Sequence, residues 1–218
     1  MIPLAKVECP EVLALHAEEW TDELIHDTDA NRLSKPKVRR RYGDATIREA
    51  LGRETFGKCA YCESKVAHVA YEHVEHILPK SALPGLCYSW ENLTIGCPIC
   101  NTKKSDYFDE NCFLVNPYLD DPSDHFLFLG PAILPQGDIR SRVTEARLGL
   151  NRTELLERRN ERLRSVNTLV NEWKLAAADQ KAPLWAMLEL EADSTAEYSQ
   201  FIRSFLRTKQ TELGEEES

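Results

Sequence analysis

The sequence has no long apolar run, and this excludes a membrane-spanning helix. Its longest uncharged apolar stretch covers residues 126–135 and includes two prolines. A helix that crosses a bilayer needs about 20 consecutive apolar residues. The first residues, MIPLAKVECP, also lack the basic start and the apolar run of a signal peptide. We therefore expect a cytosolic (cytoplasmic) protein with no membrane partner.

The sequence also lacks the even number of cysteines that a complete disulfide framework needs. It has 7 cysteines among 218 residues, and a chain that stays in the cytosol keeps its thiols reduced. No internal repeat or low-complexity tract is visible, while apolar residues make up 42% and charged residues 29% of the chain. This composition is typical of a folded soluble protein that is long enough to bury a core.

Positive charge is scarce overall but not in the middle of the chain. The formal net charge is −9, which taken alone argues against binding to nucleic acid. Residues 35–104, however, carry 12 Lys and Arg against 7 Asp and Glu. A basic centre between acidic ends is compatible with a phosphate-binding patch, and an ordinary solvated surface is the alternative explanation.

Four of the cysteines form two Cys-x-x-Cys pairs, Cys59 with Cys62 and Cys97 with Cys100. Each pair can place two sulfurs on one side of a metal, and residues 63–96 are long enough to fold out and return. Four thiolates suit a tetrahedral Zn²⁺ ion and leave no open coordination position. The spacing therefore predicts a structural zinc knuckle, with buried free cysteines as the alternative.

Histidine, glutamate and asparagine residues accompany these pairs in a recognisable order. The segments are CAYCE (59–63), YEHVEHILPK (71–80) and WENLTIGCPICNTKK (90–104). Together they resemble the HNH endonuclease motif, which is the ββα-metal nuclease core in its zinc-stabilised form. The resemblance implies an enzyme that hydrolyses phosphodiester bonds with the help of a catalytic Mg²⁺ or Mn²⁺ ion.

The resemblance also assigns roles to individual residues of this site. His76 is the expected general base, since the ordinary pKa of histidine is about 6.5. Glu75 and Asn101 are the expected ligands of the catalytic ion, and Asn92 is expected to hold the loop that orients His76. His73 is a further candidate ligand, with an ordinary strand histidine as the alternative.

Three lysines near the motif are expected to bind nucleic acid. They are Lys80, Lys103 and Lys104. Lysine side chains commonly contact backbone phosphate, but solvated lysines without a role are an equally acceptable interpretation.

Further segments extend the resemblance beyond the nuclease motif. NPYLDDPSDHFLF and LGLNRTELLERRNERL look like the PtuB-type HNH proteins of Septu and related retron anti-phage systems. This resemblance implies a PtuA-like ATPase partner, related to SMC and ABC-type ATPases. We expect DNA rather than RNA as the substrate. An RNA nuclease that uses the same site (with tRNA as one substrate) and a non-catalytic zinc-knuckle adaptor protein are the alternatives.

The expected fold is mainly α with a small β-hairpin: a ββα-metal core with a four-cysteine zinc knuckle, flanked by helices. Strands are predicted within residues 67–77 and over residues 90–96, and a capping box at Asn151 predicts the start of a long helix. The expected organisation has four parts: an N-terminal helical segment (1–56), the nuclease core (57–116), an irregular wrap (117–150) and a C-terminal helical region (151–213). That last region is expected either to dock a partner or simply to pack on the core.

Overall fold

The structure, a computed structural model, describes residues 1–29, 38–65 and 73–216. Part of the first predicted strand, residues 67–72, lies outside these ranges. The helices and strands in chain order are α1 (Glu11–Asp29), α2 (Ala45–Glu54), β1 (His73–His76), β2 (Leu93–Gly96), α3 (Pro98–Lys104), α4 (Pro122–His125), β3 (Phe126–Leu129), β4 (Ala132–Pro135), α5 (Ile139–Leu148), α6 (Thr153–Leu175), α7 (Ala178–Glu191) and α8 (Ser199–Glu216). The mainly helical fold class is confirmed.

Strands β1 and β2 form an antiparallel hairpin in which Glu75 lies opposite Thr94. The second strand begins at Leu93 rather than at residue 90, because Trp90–Asn92 forms a 3-10 turn. Leu93 and Ile95 point to one side of the hairpin, where they join an apolar cluster with residues of α1 and α2. The opposite face of the hairpin is left for polar residues.

The chain passes from β2 directly into α3. Cys97 is the N-cap of this helix, and its Sγ accepts the backbone N–H of Cys100 at 3.4 Å. Pro98 occupies the first helical turn, as predicted. An N–H group at this position would have no acceptor within the helix, so proline is tolerated there. This arrangement sets Asn101 on the first turns of a helix that begins at a cysteine of the predicted knuckle.

The N-terminal segment packs behind the hairpin around the buried carboxylate of Glu54. The ammonium of Lys6 donates to this carboxylate at 3.2 Å, and the hydroxyl of Tyr118 donates at 2.9 Å. Lys6 also donates to the carbonyl oxygen of Leu93 at 2.6 Å. The network therefore joins the N-terminal segment, α2 and β2 through charged and polar groups that are shielded from water.

The structure differs from the sequence-based expectation of an irregular segment over residues 117–150. That segment contains α4, a second antiparallel hairpin of β3 and β4, and α5. Its prolines and glycines lie at the ends of elements: Pro122 opens α4, and Gly130 has a φ of 53° in the turn between the strands. Glycine adopts this left-handed conformation without steric strain. The closely spaced prolines and glycines of this segment therefore separate short helices and strands. They do not indicate a segment without secondary structure.

Three helices, α6 to α8, complete the fold in the C-terminal region that was predicted to be helical, and the first of them begins differently from the prediction. The side chain of Asn151 does not cap α6; it exchanges hydrogen bonds of 2.9 and 2.7 Å with the backbone of Ile133 on β4. Arg152 therefore takes the N-cap position, and its side chain makes no capping bond. No helix in the described part of the chain is long and apolar enough to cross a bilayer.

We predict that Glu54→Leu lowers the stability of the protein by about 3 kcal/mol, because it leaves the buried Lys6 ammonium without its carboxylate. In a chain of this size the melting temperature should fall by roughly 6 to 12 °C. Thermal unfolding followed by circular dichroism measures this. Glu49→Leu, at an exposed position on the same helix, is the matched control. Equal melting temperatures for the two variants would contradict the prediction.

Candidate metal centre and active site

The four paired cysteines come together at one buried point. Their Sγ atoms all lie within 4.8 Å of one another, and those of Cys62 and Cys97 are 3.9 Å apart. Tetrahedral Zn–S bonds of about 2.3 Å separate the sulfurs by about 3.8 Å. The residues therefore fit a zinc ion, for which thiolates are preferred ligands. The predicted four-cysteine cluster, formed by Cys59, Cys62, Cys97 and Cys100, is confirmed.

The chain just after Cys62 binds the beginning of α8. The buried carboxylate of Glu63 accepts the hydroxyl of Ser199 at 3.0 Å and the backbone N–H of Gln200 at 3.3 Å. The hydroxyls of Ser64 and Tyr198 lie 2.9 Å apart. The cysteine cluster is thus connected to the C-terminal helices on one side and to α3 on the other.

A cleft of about 480 Å³ opens beside this cluster and brings together three of the four predicted catalytic residues, Glu75, His76 and Asn101. Strand β1 contributes Glu75 and His76 to its lining, α3 contributes Asn101, and the following loops contribute Lys80 and Asp106. Residues that are far apart in the sequence therefore face one solvent-filled space. Its lining is polar, as a site for a charged ligand requires.

His76 is almost completely buried, and one of its ring nitrogens is already engaged. Nε2 lies 2.9 Å from the carbonyl oxygen of Cys87, and a carbonyl can only accept, so Nε2 carries the proton. Nδ1 is then the nitrogen with the free lone pair. Burial lowers the pKa of His76 to about 4, and the positive charge of Lys80 acts in the same direction. The imidazole is therefore neutral at physiological pH, as a general base must be.

The side chain of Asn92 binds both ends of the loop that carries Cys87. Its Oδ1 accepts the backbone N–H of Leu78 at 2.8 Å. Its Nδ2 donates to the carbonyl oxygens of Leu78 and Leu86, at 2.9 and 3.1 Å. Because Cys87 follows Leu86 directly, this amide fixes the segment whose carbonyl holds the His76 ring.

Glu75 lies at the floor of the cleft in a buried ion pair with Lys104. The two side chains are 7% and 2% exposed, and Oε1 of Glu75 is 2.7 Å from Nζ of Lys104. Burial raises the pKa of Glu75, and the charge of Lys104 opposes this shift. The structure corrects the expectation that Lys104 is a surface lysine: its ammonium neutralises a carboxylate that would otherwise be buried alone.

His73 and Asn101 meet at the rim of the same site, where Nδ2 of Asn101 lies 3.2 Å from Nδ1 of His73. Gly96 allows this approach, because a Cβ at that position would lie 3.2 Å from the Cβ of Glu75 and 3.8 Å from the Cβ of Asn101. Carboxylate and amide oxygens are suitable donors for Mg²⁺ or Mn²⁺, whereas an imidazole suits softer transition-metal ions better. The chemistry of this donor set thus fits a divalent ion.

The other two predicted phosphate-binding lysines reach solvent. Lys80 is exposed and donates to the hydroxyl of Tyr42 at 2.6 Å. Lys103 is also exposed, and its aliphatic stem lies against Gly149, where a Cβ would come within 2.9 Å of it. Lys80 lines the cleft, whereas Lys103 is not among the residues that line it.

Sequence reasoning missed two contributors to the site. The ring of Tyr42 packs edge-on against that of His76, with centroids 4.7 Å apart and an angle of 88° between the planes. Tyr42 lies in the 3-10 segment Val38–Gly43, far before the motif, and no spacing pattern connects it with His76. Cys87 contributes its backbone carbonyl. Every residue has such a group, so the amino-acid sequence does not show which carbonyl binds His76.

Comparison with known proteins agrees with this geometry. A family model described as HNH endonuclease matches residues 59–107, the span that holds both cysteine pairs, the β1–β2 hairpin and α3. The chain carries an HNH endonuclease domain. The resemblance inferred from the motif is therefore confirmed.

Relatives extend the similarity beyond the HNH domain. The chain is 30% identical to the Septu protein PtuB of Bacillus mycoides (strain KBAB4), in a match that covers 70% of this chain and 61% of the relative. It is 33% identical to the Septu protein PtuB of Bacillus thuringiensis, over 72% of this chain and 57% of the relative. The chain thus spans about three fifths of the length of these curated relatives. The expected likeness to PtuB-type HNH proteins is confirmed.

We predict that Cys97→Ser lowers zinc content and stability together, because in a zinc knuckle the free energy of metal binding is also folding free energy. Elemental analysis should give about one zinc per wild-type chain and much less in the variant. Cys9→Ser, outside the cluster, should keep its zinc. An unchanged zinc content in Cys97→Ser would contradict the assignment of the cluster.

We predict opposite outcomes for two adjacent lysines of the HNH domain. Lys104→Met should lower the stability by about 3 kcal/mol, because it leaves the buried carboxylate of Glu75 unpaired. Lys103→Met should leave the melting temperature unchanged, since Lys103 is exposed. Differential scanning calorimetry of the two variants measures this contrast, and a stable Lys104→Met protein would show that the buried pair is not needed.

Proposed function

We propose that this chain is a metal-dependent endonuclease that hydrolyses phosphodiester bonds in DNA, with His76 as the general base. The observation that carries the proposal is the hydrogen bond between Nε2 of His76 and the carbonyl oxygen of Cys87. It leaves Nδ1 of a neutral imidazole to accept a proton in a cleft that also contains Glu75 and Asn101. Hydrolysis needs such a base to take the proton of the attacking water.

Glu75 and Asn101 would hold a catalytic Mg²⁺ or Mn²⁺ ion, with His73 as a further ligand. When bound, the ion supplies positive charge for the phosphate and for the leaving oxygen. Glu75 is paired with Lys104 at 2.7 Å, and the charge of this lysine favours the ionised form of the carboxylate at the floor of the cleft. Gly96 keeps the space between the two ligand side chains free of a Cβ.

The remaining residues orient the base and the substrate. Asn92 holds the loop that presents the Cys87 carbonyl, and Tyr42 supports the His76 ring from its edge. Lys80 and Lys103, both exposed, would contact phosphates on either side of the bond that is cleaved. Such contacts fix the register of a nucleic acid without reading its sequence.

The proposal places the enzyme in anti-phage defence, where it would act in the cytoplasm with a PtuA-like ATPase. It is supported by the two relatives named as Septu proteins PtuB. The net charge of −9 also favours a partner, because few basic residues are available to this chain alone for binding a polyanion. The C-terminal helices α6 to α8 would offer the docking surface.

We predict that His76→Gln abolishes cleavage but leaves the fold intact. The amide of Gln can still donate to the Cys87 carbonyl but cannot act as a base, so the cleavage rate should fall by a factor of about 10² to 10⁴. The assay incubates each protein with Mg²⁺ or Mn²⁺ and with duplex DNA, single-stranded DNA or tRNA, in the presence and absence of the ATPase partner.

The control is His16→Gln, on the exposed surface of α1, which should cleave as the wild type does. Cleavage of tRNA but not of DNA would replace the DNA nuclease by an RNA nuclease. If wild type and His76→Gln bind nucleic acid but are equally inert on every substrate, the chain is a zinc-knuckle adaptor. A large fall in the melting temperature of His76→Gln would instead assign His76 a structural role.

A further inference from the structure

The guanidinium of Arg152 lies against the outer side of the cysteine cluster. Nη1 is 3.6 Å from Sγ of Cys100, and Nη2 is 4.0 Å from Sγ of Cys97. Nη1 also donates to the carbonyl oxygen of Gly149 at 3.2 Å, whereas Nε is buried and has no hydrogen-bond partner among the described residues. The side chain of Arg152 thus points two N–H groups at two of the predicted zinc ligands.

The guanidinium of Arg159, a residue within α6, is buried. It is 0% exposed, and Nη1 donates to the carbonyl oxygen of Leu150 at 2.8 Å. Nε and Nη2 have no hydrogen-bond partner within the described part of the chain, and the guanidinium lies 4.2 Å from the ring centroid of Phe201. Its charge is therefore stabilised by the carbonyl oxygens of Pro131 and Leu150 and by an aromatic ring.

The guanidinium of Arg152 faces a cluster whose own charge also needs a partner. Four thiolates around one Zn²⁺ ion carry a net charge of about −2, and a buried charge without compensation is strongly unfavourable. Hydrogen bonds to ligating sulfurs stabilise the charge that the sulfurs carry and orient them. Arginine presents such donors in a planar fork, whereas lysine offers a single point charge.

We propose that Arg152 compensates the charge of the zinc–tetrathiolate cluster by binding directly to its sulfurs. This interaction fastens the first turns of α6 to the start of α3, the helix that carries Asn101. Arg152 is a positioning residue: it touches the metal ligands and not the substrate. The proposal depends on zinc occupancy and is independent of the nucleic acid that the cleft accepts.

The test compares zinc retention in three variants of the full chain. Arg152→Met keeps the length of the side chain and removes the charge and the donors, and Arg152→Lys keeps only the charge. Arg158→Met, at an exposed position of the same helix, is the control. Zinc release to a chromogenic chelator should be about 10- to 100-fold faster in Arg152→Met, intermediate in Arg152→Lys, and unchanged in Arg158→Met.

Cobalt substitution adds a readout that a purely structural role would not change. Removing N–H donors makes the sulfurs more electron-rich, so the thiolate-to-cobalt charge-transfer band should move to lower energy in Arg152→Met but not in Arg158→Met. Wild-type zinc release together with an unshifted band in folded Arg152→Met would overturn the proposal. If Arg152→Met does not fold, Arg152→Lys decides: faster zinc release supports the proposal, and wild-type release overturns it.

Discussion

The convergence of four cysteine sulfurs on one buried point is the constraint on which the rest of the structure depends. Two belong to the turn at residues 59–62 and two to the start of α3, so the cluster closes the long segment between them. On one side it sets Asn101 beside the β1–β2 hairpin. On the other, the neighbouring Glu63 is bound by Ser199 and Gln200 of α8. One cluster therefore aligns the catalytic cleft with the C-terminal helices.

The cleft combines a neutral imidazole with a buried ion pair. Both depend on the exclusion of water from the side chains of His76, Glu75 and Lys104. Burial lowers the pKa of His76 to about 4, while the contact with Lys104 opposes the rise in the pKa of Glu75 that burial causes. Of the two exposed lysines, Lys80 lines the cleft. An acidic chain can in this way present a local site for a phosphate group, although its overall charge disfavours long nucleic acids.

The sequence predicted those parts of the site that depend on short-range spacing. The Cys-x-x-Cys pairs predicted the cluster, and Asn101 follows Cys100 so directly that it had to lie near it. Tyr42 and Lys104 could not be assigned in this way, because their roles depend on packing between distant elements. The secondary structure of residues 117–150 was not predicted, because prolines and glycines are as frequent there as in a loop. The sequence around Asn151 predicts a helix cap, but its side-chain amide forms hydrogen bonds with the backbone of β4 instead.

The contacts of Glu63 and Ser64 with residues 198–200 have a consequence for how the protein is made. The span matched by the family model ends at residue 107, yet these partners lie near the other end of the chain. Contacts between such distant segments form slowly, because a long loop must close first. A nascent polypeptide still attached to the ribosome lacks them until α8 has emerged. The motif grafted alone into another scaffold would therefore lose the α8 groups that bind the carboxylate of Glu63.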